Sequence, residues 1–96
     1  MNYFVQDSRS SEGIAAFKEY AKNLSKYHGK NDITTIKAEV SIAQKLLSCF
    51  EFEEANEILS LRLPQITAML GPENEFTLYV KDLYSKAKEL EALLKG

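Results

Sequence analysis

The 96-residue chain predicts an all-α fold, an antiparallel helix-turn-helix repeat stack of about four helices. Three observations predict it. Gly29 and Gly71 stand 42 positions apart, and each opens a short polar loop, Gly29-Lys30-Asn31-Asp32 and Gly71-Pro72-Glu73-Asn74. The same offset carries Asp32 onto Asn74, Thr35 onto Thr77, Ile36 onto Leu78, Phe17 onto Leu59 and Leu24 onto Ile66. A fixed period of this size marks one helix-turn-helix unit copied along the chain. Apolar residues between the loops recur at three- and four-residue spacing, and two prolines with four glycines leave few breaks.

Residues 1–10 read as an irregular lead-in, an apolar cluster Tyr3-Phe4-Val5 followed by the polar run Asp7-Ser8-Arg9-Ser10, with the repeat domain over 11–96. The first helix is expected from about Ser11 to His28. Ser10 or Ser11 can accept from the free amides of its first turn, and Glu12 suits the positive end of its dipole. Ile14, Phe17, Ala21, Leu24 and His28 share one face, and Gly29 supplies the left-handed residue that ends a helix.

Asp32 is the expected N-cap of the second helix, whose stripe is Ile33, Ile36, Val40, Ala43, Leu47 and Phe50, widened by Ile42 and Leu46. So broad a stripe suits a helix touching two neighbours. Only the repeat register places a break near Phe50, since Ser48-Cys49-Phe50-Glu51 holds neither Gly nor Pro. The third helix, about Phe52 to Leu70, is expected to bury Phe52, Ala55, Leu59, Ile66 and Leu70, with Ile58, Leu63 and Met69 beside them. Pro64 in its interior removes an amide donor and is expected to bend the helix around a neighbour. Gly71-Pro72 stops it. Asn74 caps the fourth helix, whose stripe is Phe76, Val80, Leu83, Ala87, Leu90 and Leu94, with Glu91 and Lys95 spaced to pair. Tyr20, Tyr27 and Tyr84 read as half-buried packing.

Twelve basic and fourteen acidic residues, net −2, argue against a nucleic-acid binder, which needs a basic surface to offset phosphate charge. No apolar run is long enough to span a membrane. The first residues lack the basic and apolar regions of a secretory signal, and the single cysteine, Cys49, leaves no internal disulfide. A cytoplasmic setting is expected. A metal site needs three or four clustered ligands; His28 and Cys49 are the only His and Cys, so no metal and no cofactor are expected. Glu51, Glu53, Glu54 and Glu57 gather where the third helix begins, a place acids favour for the dipole alone. No phosphate loop, G-x-S-x-G or H-E-x-x-H is present. No catalytic residue is assigned, and the chain is not expected to be an enzyme.

With this layout the chain resembles the tetratricopeptide repeat family in its longer, 42-residue form, known from kinesin light chains and many bacterial regulators. The connector Met69-Leu70-Gly71-Pro72-Glu73-Asn74-Glu75-Phe76-Thr77-Leu78 is similar to that form's L-G-x-x-H-P-x-x-x-x loop, without its His-Pro pair. Ile42-Ala43 resembles the L-A pair of the first repeat helix. Glu53-Glu54-Ala55 resembles the Y-x-E-A signature of the second, with Ala55 twelve positions after Ala43. The resemblance covers about residues 12 to 90. Phe50 stands where the family usually has Gly or Asn, Gly13 where Ala55 has its counterpart, and Arg62 where a small residue is common.

The resemblance implies a groove, lined by the first helix of each repeat, that receives a peptide or helix of another protein. By register Lys37, Val40, Gln44 and Leu47 would face it from the second helix, and Tyr79, Asp82, Lys86 and Glu89 from the fourth. The alternative places Val40 and Leu47 in the core and leaves the others solvated. The expected function is a non-catalytic protein–protein interaction module. Two further readings stay open: a sensing or regulatory segment of a transcription regulator or signalling protein, and a small all-helical homodimer for assembly.

Overall fold

The structure, a computed structural model, describes the backbone of residues 2–95 and the side chains of residues 13–94. The two loops that set the period are built the same way. Gly29 N–H donates to the Ser25 carbonyl at 2.9 Å, and Gly71 N–H to the Thr67 carbonyl at 2.9 Å. Asp32 N–H reaches the Gly29 carbonyl at 3.3 Å and Asn74 N–H the Gly71 carbonyl at 3.4 Å. The Asp32 carboxylate accepts from Thr34 N–H and the Asn74 amide oxygen from Phe76 N–H, both at 2.8 Å. Both glycines take positive φ, +99° and +95°, which glycine adopts without the Cβ penalty. Every one of these bonds recurs at the 42-residue offset.

Four helices result: α1 Asn2–His28, α2 Ile33–Ser48, α3 Phe52–Leu70 and α4 Glu75–Lys95. The fold is all-α, with no strand among the described residues. Each helix packs on its chain neighbour, and α2 also touches α4. Connectors this short make consecutive helices antiparallel. Helix α1 begins at Asn2, so residues 2–10 are helical rather than an irregular lead-in. Nothing in Phe4-Val5-Gln6-Asp7-Ser8-Arg9 breaks a helix, and the serines lie inside it rather than capping it.

The break near Phe50 is present, and its geometry shows how a turn forms without glycine. Phe50 N–H donates to the Leu47 carbonyl at 3.1 Å and Glu51 N–H to the Leu46 carbonyl at 2.8 Å. That pair of crossed bonds is the Schellman ending, which needs a left-handed residue. Phe50 supplies it at φ +62° and is 76% exposed, so it belongs to the turn and not to the buried stripe. Helix α3 continues without interruption through Pro64.

The core runs along α2. Ile36, Val40, Ile42, Ala43 and Leu46 are buried, together with Ala21 of α1, Ala55, Leu59 and Ile66 of α3, and Val80 and Ala87 of α4. Ile14, Phe17, Leu24, Leu63, Leu70, Leu83 and Tyr84 pack around them. Several positions expected to pack lie outside. His28 at the end of α1 and Met69 of α3 are exposed, as are Tyr20 and Tyr27, expected half-buried. Leu90 and Leu94 are exposed too; Leu94 borders an open cleft beside Phe50 and Phe52 at the start of α3. Polar contacts between α3 and α4 join Asn56 Nδ2 to the Ala87 carbonyl and to Glu91 Oε1. The expected partner of Glu91, the Lys95 side chain, lies outside the described residues.

The largest fully buried side chain among the described residues is Arg62, 1% exposed on the apolar stripe of α3 between Leu59 and Ile66. Its Nε donates to Glu39 Oε1 at 2.7 Å and its Nη2 to Glu39 Oε2 at 2.9 Å, a bidentate pair across to α2. Nη2 also reaches the Lys30 carbonyl, and Nη1 reaches Asn31 Oδ1 and Gln65 Oε1. All five guanidinium hydrogens have acceptors, which a buried charge requires. One side chain thereby ties α3 to α2 and to the first connector.

Candidate functional site

The face assigned by register splits into residues that reach solvent and residues that do not. On α2, Lys37 and Gln44 are exposed, Val40 is buried, and Leu47 is half-buried against the core. Val40 and Leu47 therefore act as packing residues, because α2 is covered by α1 on one side and α3 on the other. On α4, Tyr79, Asp82, Lys86 and Glu89 are all exposed. Asp82 and Lys86 pair with each other at 3.2 Å, one turn apart and both about two-thirds exposed. Pairs of this kind contribute little to stability and exchange readily for a partner's charges.

The two helices meet near their N-terminal ends. The Lys37 ammonium lies 5.3 Å from the centre of the Phe76 ring, a cation–π contact across the α2–α4 gap. Phe76 in turn sits 6.1 Å from the Tyr79 ring, tilted by 31°. Lys37, Phe76 and Tyr79 thus make one aromatic and cationic cluster, its members placed by the two equivalent caps at Asp32 and Asn74. Phe76 was expected only as a core residue; it is half-buried and forms the floor. The signal was available, since Phe76 lies one residue before the repeat threonine and at i−3 from Tyr79. Gln44, Asp82, Lys86 and Glu89 lie further along the helices.

The remaining candidates behave as surface or packing groups. Glu54 bridges α3 to α1 through Lys18 at 2.7 Å, and Glu53 and Glu54 occupy the first turn of α3. Cys49 is half-buried at the end of α2. No group of three or more His, Cys, Asp or Glu able to hold a metal occurs among the described residues, and no helix there is long and apolar enough to cross a membrane. Comparison with protein-family models, with curated proteins and with solved structures finds no match.

Proposed function

We propose that this chain is a non-catalytic interaction module of the tetratricopeptide-repeat kind, acting in the cytoplasm and holding a peptide or helix of a partner protein. The face used is the one where α2 and α4 present Lys37, Phe76 and Tyr79 side by side, with Gln44, Asp82, Lys86 and Glu89 extending it. The observation carrying this reading is the pairing of two equivalent helix starts across one cluster. Repeat stacking lays equivalent helices beside each other, so Lys37 and its counterpart Tyr79 fall on one face that a linear partner can cross. Half-exposed aromatic side chains such as Tyr79 supply contact area at interfaces, and a lysine beside them can hold a carboxylate.

The test is affinity capture from native lysate with the intact protein and with the Tyr79→Ala, Lys86→Glu double variant, followed by direct titration of the captured protein. The double variant should lose the partner at least about tenfold, a loss of roughly 1.4 kcal/mol. Equal binding by both proteins removes this face as the site. A homodimer is the second reading, favoured by the exposed Leu90, Leu93 and Leu94 near the end of α4. Light scattering that reports a monomer at every concentration disposes of it.

A further inference from the structure

Helix α1 carries Lys18, Lys22 and Lys26 at four-residue steps, and Lys30 follows in the first connector. The steps put the ammonium stems in one row about 6 Å apart along the axis. The row borders an open cavity of about 430 Å³ whose floor is apolar, formed by Ala21, Ile42 and Ile58. Its one lining carboxylate, Glu39, has both oxygens committed to Arg62, so it does not offset the row. Lys18 reaches Glu54 at the cavity's edge. Lys22, Lys26 and Lys30 have no carboxylate within bonding distance among the described side chains and are exposed. This is a concave, apolar site with a strongly positive rim, of the size small binding sites have.

The site lies away from the proposed partner face. Glu39 and Ile42 stand roughly 140–200° around α2 from Lys37, at about 100° per residue. We propose that the cavity is a second docking surface, which takes an acidic segment of a partner protein with one apolar side chain. Glutamates at i and i+4 of a helical segment repeat at about 6 Å, matching the lysine row, while an intervening leucine or phenylalanine enters the cavity. Charge complementarity selects this occupant over a nucleic acid. The rim is short and ends at a carboxylate on α3, and the chain as a whole carries net −2, whereas a phosphate backbone needs an extended basic face.

The probe is a fluorescein-labelled short helical peptide with glutamates at i, i+4 and i+8 and one leucine between them, titrated against the full chain by anisotropy. Its twin carries glutamine for glutamate. The acidic peptide should bind at least about tenfold more tightly at low salt, with the advantage shrinking at high salt as screening shortens. Lys22→Gln, Lys26→Gln should abolish the advantage, and Lys22→Arg, Lys26→Arg should retain it; circular dichroism checks that each variant is folded. Lys37→Ala, Tyr79→Ala should leave it unchanged, which separates this surface from the α2–α4 face. The proposal is overturned if the two peptides bind alike or if the glutamine variant binds as well as the parent. It is overturned equally if a single-stranded oligonucleotide of similar charge binds as tightly as the peptide. A second copy is the occupant instead if the chain's own mass rises with concentration and the glutamine variant stays monomeric.

Discussion

Helices α2 and α4 start from the same loop and end in different surroundings. At the 42-residue offset Thr35 and Thr77 are both buried, and Ala38 and Val80 are both buried. Beyond that the copies part. Ile36 is 0% exposed and Leu78 is 50% exposed. Val40, Ala43, Leu46 and Leu47 become Asp82, Ser85, Lys88 and Glu89. A helix with neighbours on both sides needs apolar residues around most of its girth, whereas α4 rests mainly on α3 and keeps one polar side. The lesson is that loop chemistry is copied as a unit while the faces of a helix answer to what lies against them.

The first connector is also held more firmly than the second, because Arg62 grips Lys30, Asn31 and Glu39 at once. Removing the carboxylate leaves a buried guanidinium uncompensated, so Glu39→Ala should lower unfolding free energy by about 3–5 kcal/mol in urea titration. Lys81, the counterpart of Glu39 on α4, is exposed; Lys81→Ala should change stability by less than about 0.5 kcal/mol. Equal effects would mean that the guanidinium cluster does not distinguish the two loops.

The next contrast concerns burial. Ile36→Ala should cost about 2–5 kcal/mol through cavity formation. Leu78→Ala, at half exposure, should cost roughly 1 kcal/mol or less by area. Comparable losses would show that another surface covers Leu78 in solution.

Three left-handed residues offer a third comparison. A Cβ at Gly29 or Gly71 meets no atom within 4 Å, so the penalty for alanine there is conformational only. Each should cost about 1–3 kcal/mol, with Gly71 at the upper end because φ 95°, ψ 154° is a region almost confined to glycine. Phe50→Gly should instead raise stability by about 1 kcal/mol, since the left-handed penalty disappears and an exposed ring loses little packing. A loss on Phe50→Gly would mean that its edge-on contact with Phe52, centroids 5.9 Å apart, outweighs that penalty.

The finest contrast is a single hydroxyl. Thr35 Oγ1 donates to the Gly29 carbonyl at 2.8 Å, while the buried Thr77 Oγ1 has no partner among the described residues. Thr35→Val should cost about 1 kcal/mol and Thr77→Val should be neutral or slightly stabilising by thermal melt. The reverse ranking would show that Thr77 has an acceptor in solution.

Much of the fold was legible because its signals are local. Asp32, Asn74 and the two glycines act within one turn of where they stand, and the period placed a break at Phe50 that no breaker residue marks. Residues 2–10 were misread because serines and an acid signal a cap as readily as an interior, and nothing nearby decides between them. Positions 55, 59, 62 and 66 follow the stripe, yet Arg62 stood out in sequence only as a departure from the family pattern, because its partners lie on α2 and in a connector far away in sequence. Tyr20 and Tyr27 were assigned by residue type, and their surroundings turned out to be solvent. In the candidate site the four α4 positions are exposed, while Val40 and Leu47 of α2 take the packing role that register had left open, because register cannot tell an inner helix from an outer one.

The helices meet mainly in chain order, and α1 and α4 do not touch among the described residues. Nearly all tertiary contact is therefore between segments close in sequence, a topology that folds quickly because little loop entropy must be spent before contacts form. The same arrangement lets the molecule open in stages. Helix α4 can peel from α3 while α1, α2 and the Arg62 cluster stay assembled, so its amides should exchange with solvent at lower free energy than those of α2. A partner that bridges α2 and α4 would slow that peeling, and its binding would be readable as protection of α4 alone.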